Sequence, residues 1–88
     1  MFEYSVYPFY SVEHYKKACE YVEKLFENET IVKEKEFIDF DYSRTQVYNT
    51  SKGKVEVLNL EDFYDGVSVF SDFEITNPEW KLINIERS

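Results

Sequence analysis

The two residue types best able to bind a metal, one histidine and one cysteine, fall within a single predicted helix. His14 and Cys19 are five positions apart, which is about 140° around a helix, so they do not converge on one ion. A zinc site needs several such ligands at characteristic spacing, and the chain has one of each. We therefore expect no metal site. We interpret Cys19 as a small core residue and His14 as a surface residue of the helix.

Covalent catalysis and phosphate binding are equally poorly supported. A nucleophilic side chain needs a neighbouring base, and no Gly-x-Ser-x-Gly turn accompanies the one histidine. The chain has only two glycines, Gly53 and Gly66, too few for the glycine-rich loops that hold nucleotide phosphates. With eighteen acidic residues, paired carboxylates arise by chance and do not by themselves indicate glycoside hydrolysis. We expect no enzymatic activity, no catalytic residue and no cofactor.

The most distinctive segment runs from Val55 to Trp80. It contains seven acidic residues and no lysine or arginine, and aromatic residues are interleaved with the acids. Carboxylates provide a long-range field that attracts a cationic partner, and aromatic rings provide contact area once the partner has arrived. This combination favours binding over chemistry. The candidate partner-binding residues are Glu61, Asp62, Tyr64, Asp65, Phe70, Asp72 and Glu74.

Phe70 is the candidate anchor of this surface. The alternating segment Val67–Ile75 predicts a strand whose odd-numbered residues face a helix. On the other face, Phe70 would lie exposed near Asp72 and Glu74 on the same strand. An exposed aromatic ring among carboxylates is a reasonable binding anchor. The alternative is that Phe70 packs in a second small core.

The elements that would position this surface follow from periodicity. Phe2–Tyr7 alternates as a strand does, and Ser11 is a helix N-cap residue that precedes an apolar stripe over residues 12–26. Two β-rich runs, 45–50 and 54–60, are separated by a short turn in which Gly53 is available for a positive φ, which predicts a hairpin. A last strand is predicted over residues 80–85.

Residues 30–42 also have the composition of a strand, with one interruption. Ile38 belongs to an alternating stretch that is typical of a half-buried strand. The charged residues 33–36 fit this pattern poorly, and they indicate an exposed edge, a bulge or a hairpin tip. The resulting order, β-α-β-β-β-β-β, predicts an α+β domain in which one N-terminal helix packs on a largely antiparallel sheet of five to six strands.

Composition sets further limits. The chain has 88 residues, 43% of them hydrophobic and 19% aromatic, which predicts a single folded domain over residues 1–88. Its net charge of −8 argues against direct binding to nucleic acid or to anionic membranes, since both need a basic surface. One cysteine excludes an intramolecular disulfide and favours a reducing cytoplasm. No signal-peptide pattern and no apolar stretch of membrane-spanning length is present.

These features lead to three functional hypotheses. The first is an inhibitor of a basic protein, such as the immunity protein, or antitoxin, that neutralises a nuclease-type toxin by occluding its cationic active site. In small size and acidity the chain resembles acidic immunity proteins, although no motif identifies a family. The alternative is a nucleic-acid mimic that inhibits a DNA-binding protein or a restriction or CRISPR nuclease. The third is an assembly subunit that pairs through a sheet edge. We expect a monomer or a weak homodimer.

Overall fold

The computed structural model confirms the α+β architecture, with one helix packed on an antiparallel sheet. Among the residues that the structure describes, the sheet has seven strands instead of the expected five or six. The structure describes residues 1–7, 11–38, 44–60, 66–77 and 79–85. The elements are β1 (Phe2–Tyr7), α1 (Val12–Leu25), β2 (Val32–Lys33), β3 (Phe37–Ile38), β4 (Arg44–Thr50), β5 (Gly53–Leu60), β6 (Gly66–Ser71) and β7 (Lys81–Ile85).

The strands lie in the order β2-β4-β5-β6-β1-β7, and β3 also pairs with β4. Every pair of neighbouring strands is antiparallel. The first strand of the chain therefore lies inside the sheet, between β6 and β7. The two edges are formed by β2 with β3 on one side and by β7 on the other.

The additional strand arises because the predicted strand over residues 30–42 is divided in two. Lys33 is opposite Tyr48 and Phe37 is opposite Thr45. The edge strand therefore advances by four residues while β4 advances by three. This is a one-residue bulge in an edge strand, and the hairpin-tip interpretation is wrong. The half-burial predicted for Ile38 is also wrong, since its side chain at this edge is 52% exposed. Residues 39–43 lie outside the described part of the chain.

The start of α1 is fixed both by its own cap and by the sheet. The Ser11 hydroxyl accepts a hydrogen bond from the His14 backbone N–H at 3.3 Å, as the predicted N-cap requires. The Ser11 N–H is donated in turn to the side-chain oxygen of Asn59 at 3.2 Å. Asn59 is fully buried on β5, so this contact holds the first turn over the middle of the sheet.

The core lies between α1 and one face of the sheet, which we call the inner face. Tyr15, Ala18 and Val22 of the helix are buried against valines of β5 and β6. His14 is half-buried instead of on the surface, because its ring stacks on Tyr7 with centroids 4.1 Å apart. The core contains Tyr4, Val6, Tyr15, Ala18, Val22, Phe26, Tyr48, Val55, Val57, Val67, Val69, Ile75 and Trp80.

The predicted hairpin is present, and β4 and β5 are joined by a turn at residues 51–52. Gly53 follows the turn with a φ of +132°, a conformation that strains any residue with a Cβ atom. A Cβ atom placed there would also lie 2.8 Å from the Cβ of Asp72. Glycine is therefore required at this position for two reasons, its backbone angle and the close approach of Asp72.

Candidate functional site

Strand register places Phe70 in a row of directly opposed residues that crosses five strands. Glu56 of β5 and Glu3 of β1 are the immediate partners of Phe70 on its two sides. Val47 and Asn84 extend the row onto β4 and β7. Directly opposed residues of antiparallel strands lie on the same face of the sheet with their Cβ atoms close together. We call these five residues the Phe70 row.

The Phe70 row lies on the face of the sheet that points away from α1. Val57 follows Glu56 on β5 and Val69 precedes Phe70 on β6, and both valines are buried on the inner face. Because successive side chains of a strand alternate between faces, Glu56 and Phe70 lie on the other face. Phe70 itself is half-buried, not exposed as the sequence predicted. The described part of 72–80 packs on the helix side, where Phe73 contacts Phe26 edge-to-face and the Ile75 N–H is donated to the Tyr4 hydroxyl at 2.7 Å. No element that the structure describes packs on the outer face.

The carboxylates beside Phe70 are not the two that the sequence predicted. The flanking acids are Glu3 and Glu56 on adjacent strands, not Asp72 and Glu74 on the same strand. β6 ends at Ser71, so the two predicted acids follow the strand instead of extending it. Glu3 and Glu56 belong to segments far apart in the chain, and only the strand register brings them together.

Asp72 stabilises the hairpin. Its side-chain carboxylate accepts a hydrogen bond from the Lys54 N–H at 2.9 Å, and its own N–H is donated to the Lys54 carbonyl at 3.0 Å. Together with its contact with Gly53, these bonds fasten the start of β5 to the end of β6. A substitution at Asp72 would therefore change the fold as well as the surface charge, which makes Asp72 a poor probe of binding.

Glu74 lies near the C-terminal end of the helix and apart from the Phe70 row. It is exposed and borders a shallow groove that is also lined by Leu25, Phe26 and Phe73. The structure therefore does not bring Phe70 and Glu74 onto one face. The remaining predicted binding residues, Glu61, Asp62, Tyr64 and Asp65, lie outside the described residues.

One lysine modifies the charge of the Phe70 row. The Nζ atom of Lys54 lies 3.1 Å from the Oε1 atom of Glu56, and the hydrogen bond and charge of Glu56 raise the pKa of Lys54. An ion pair this exposed contributes little to stability.

A polar cluster that the sequence does not reveal connects α1 with the bulged edge. The Tyr48 hydroxyl donates to Glu23 at 2.6 Å and the Tyr15 hydroxyl donates to Glu36 at 2.8 Å. Both phenols are almost completely buried. Burial, and then the hydrogen bond to a carboxylate, raises the pKa of each tyrosine well above its usual value.

Cys19 adjoins the same tyrosines, and its environment is unfavourable for reactivity. Burial raises the pKa of the Cys19 thiol, so the thiol stays protonated and is a weak nucleophile. No group of three histidine, cysteine, aspartate or glutamate residues within the described ranges could hold a metal ion. The buried cluster therefore supports the fold, and the Phe70 row is the stronger candidate for a binding surface.

Within the part of the chain that the structure covers, no helix is long and apolar enough to cross a membrane. Neither a family model, nor a curated protein, nor a solved structure matches this chain.

Proposed function

We propose that this protein is a small acidic inhibitor that binds a basic protein through the Phe70 row, most simply as a cytoplasmic immunity protein. Its target is a nuclease-type toxin whose cationic active site it occludes. The observation that carries the proposal is the direct opposition of Phe70 by Glu3 on one side and Glu56 on the other. The protein acts by binding alone and performs no reaction itself.

In this proposal, charge determines the rate of association and direct contacts determine the affinity. A net charge of −8 speeds the encounter with a cationic partner, and this steering weakens as salt concentration rises. Nuclease active sites are basic because they hold phosphates. Affinity in such complexes depends on a few well-packed residues, among which aromatic rings are prominent. Phe70 offers an apolar contact, and the flanking carboxylates offer partners for lysine or arginine.

The geometry favours this proposal over mimicry of nucleic acid. Glu3 and Glu56 are separated by one intervening strand, or about 10 Å at the usual strand spacing. Lys54 interrupts the negative charge beside them. A mimic needs a continuous series of closely spaced charges to replace a run of phosphates. Nucleic-acid mimicry is therefore the alternative outcome of the experiment below.

The test is capture of partners from the native host lysate on immobilised protein, followed by elution with rising salt and mass spectrometry. The Glu3→Gln/Glu56→Gln variant is compared with Glu20→Gln/Glu27→Gln, which removes the same charge from exposed positions of α1 and the residues after it. We expect one basic protein to be retained to high salt, with association at low salt slowed about tenfold by the first variant only.

Two results would count against the proposal. Equal association rates for the two double variants would show that the Phe70 row is not the contact surface. Release of many DNA-binding proteins together at modest salt would instead favour the nucleic-acid mimic. Unfolding midpoints of both variants, measured by circular dichroism, provide the control for an intact fold.

A further inference from the structure

The two edges of the sheet differ in their protection against pairing with another strand. The β2/β3 edge consists of two strands of two residues each, separated by a bulge. The last residue of β2 and the three residues before β3 form the charged sequence Lys33-Glu34-Lys35-Glu36. Short strands, bulges and charged side chains are the usual means by which proteins prevent edge-to-edge association. This edge is therefore well protected.

The β7 edge lacks most of these protections. β7 is a continuous strand of five residues, and all five are exposed. Among the described strands it pairs only with β1, so the hydrogen-bonding groups of its other side have no strand partner. Three aliphatic side chains, Leu82, Ile83 and Ile85, are 40%, 49% and 48% exposed. One bulge in the pairing with β1 leaves β7 unbroken.

Charge indicates which partner fits this edge. Two copies of a chain with a net charge of −8 repel one another over most of their surfaces. β7 is an exception, because residues 82–85 are uncharged and Lys81 is basic. A second copy can therefore approach at β7 with less repulsion than the net charge of the whole chain would produce. A two-fold axis would pair β7 with itself in antiparallel orientation, which is the orientation of every pair in this sheet.

We propose that β7 pairs with β7 of a second copy, so that the two seven-stranded sheets become one continuous sheet. Closed two-fold dimers are the commonest form of homo-oligomer. Pairing would give the outer side of β7, which has no partner among the described strands, a strand partner in both copies. It would also cover Ile83 and its neighbours. A contact through one short strand is smaller than the roughly 1,000 Å² expected of a stable interface, so the dimer is weak and depends on concentration.

Sedimentation velocity of the purified protein, over a concentration series that reaches roughly 1 mM, tests the proposal. At this upper limit a dimer with a dissociation constant of roughly 1 mM is substantially populated. We expect the monomer to convert to a dimer as concentration rises. Ile83→Lys should abolish the dimer, since it places a charge on each copy at the paired edge. Val32→Lys, at a position 61% exposed on the opposite edge, should leave the dimer unchanged.

A milder substitution at Ile83 and a measurement of folding distinguish loss of the dimer from loss of the fold. Ile83→Thr retains a β-branched side chain suited to a strand and should weaken the dimer with little effect on folding. Circular dichroism establishes that each variant is folded. A protein that remains monomeric at every concentration would overturn the proposal, as would a dimer that Val32→Lys disrupts and Ile83→Lys does not. The test contains no basic partner, so its outcome is independent of the proposed inhibitory function.

Discussion

Replacing Trp80 with alanine is expected to lower the free energy of unfolding by about 3–5 kcal/mol. Trp80 is 8% exposed, and its ring lies 4.8 Å from that of Tyr21 and 6.1 Å from that of Tyr4, measured between centroids. It therefore joins the segment before β7 to both α1 and β1. Small domains are stable by about 5–15 kcal/mol, so the loss would remove a large part of the total stability.

Urea unfolding followed by far-ultraviolet circular dichroism measures this effect, since the substitution removes the only tryptophan available for fluorescence. Phe37→Ala is the matched control. Phe37 is 63% exposed at the β2/β3 edge, and a substitution of this kind usually changes stability by no more than about 0.5 kcal/mol. Equal losses for the two variants would contradict the position of Trp80 in the core.

Alkaline pH is expected to destabilise the protein through Tyr15 and Tyr48. Their pKa values are raised in the folded state by burial first, and then by their hydrogen bonds to Glu36 and Glu23, whereas an unfolded tyrosine has a pKa near 10. The stabilisation from these two groups is complete below about pH 10 and is lost as pH rises beyond it, since the unfolded chain releases protons that the folded chain retains. The slope is about 1.4 kcal/mol per pH unit for each tyrosine.

By pH 12 the two tyrosines together are therefore expected to reduce the free energy of unfolding by about 5 kcal/mol. Urea midpoints measured between pH 8 and pH 12 test this, with the Tyr15→Phe/Tyr48→Phe variant as the comparison. The variant should show a clearly shallower decline above pH 10. Identical slopes for the two proteins would contradict the assignment of raised pKa values to these tyrosines.

The elements that the sequence predicted well depend on residues close together in the chain. The start of α1 could be located because Ser11 caps the turn that follows it, and the hairpin because Gly53 lies beside a short turn. The divided edge strand was missed because the bulge is defined by pairing with β4. Trp80 was grouped with the acidic segment, although its contacts with Tyr4 and Tyr21 place it in the core. Those contacts are long-range, and no local pattern reveals them.

The candidate site depends even more on contacts between residues that are far apart in the chain. Alternation along β6 correctly placed Phe70 on the other face of the sheet from the buried valines. The flanking carboxylates depend on register across β5 and β1, which alternation within one strand does not determine. Asp72 was predicted to bind a partner, but its carboxylate accepts a hydrogen bond from the backbone N–H of Lys54. A carboxylate that bonds to the main chain and one that faces solvent are indistinguishable in sequence.

The central claim is that Phe70 is the anchor of a partner-binding face, and the most direct test compares Phe70→Ala with Phe37→Ala. Phe37 is exposed at the β2/β3 edge, where it follows Glu36 and lies opposite Thr45. It is therefore also an aromatic residue beside an acid, but it lies three strands from Phe70 and outside the Phe70 row. Affinity for the captured basic protein is measured by isothermal titration calorimetry. Phe70→Ala should weaken binding by about 30-fold or more, the effect of losing about 2 kcal/mol at a hot spot, while Phe37→Ala changes it little. Unchanged affinity for Phe70→Ala, in a variant that remains folded, would contradict the claim.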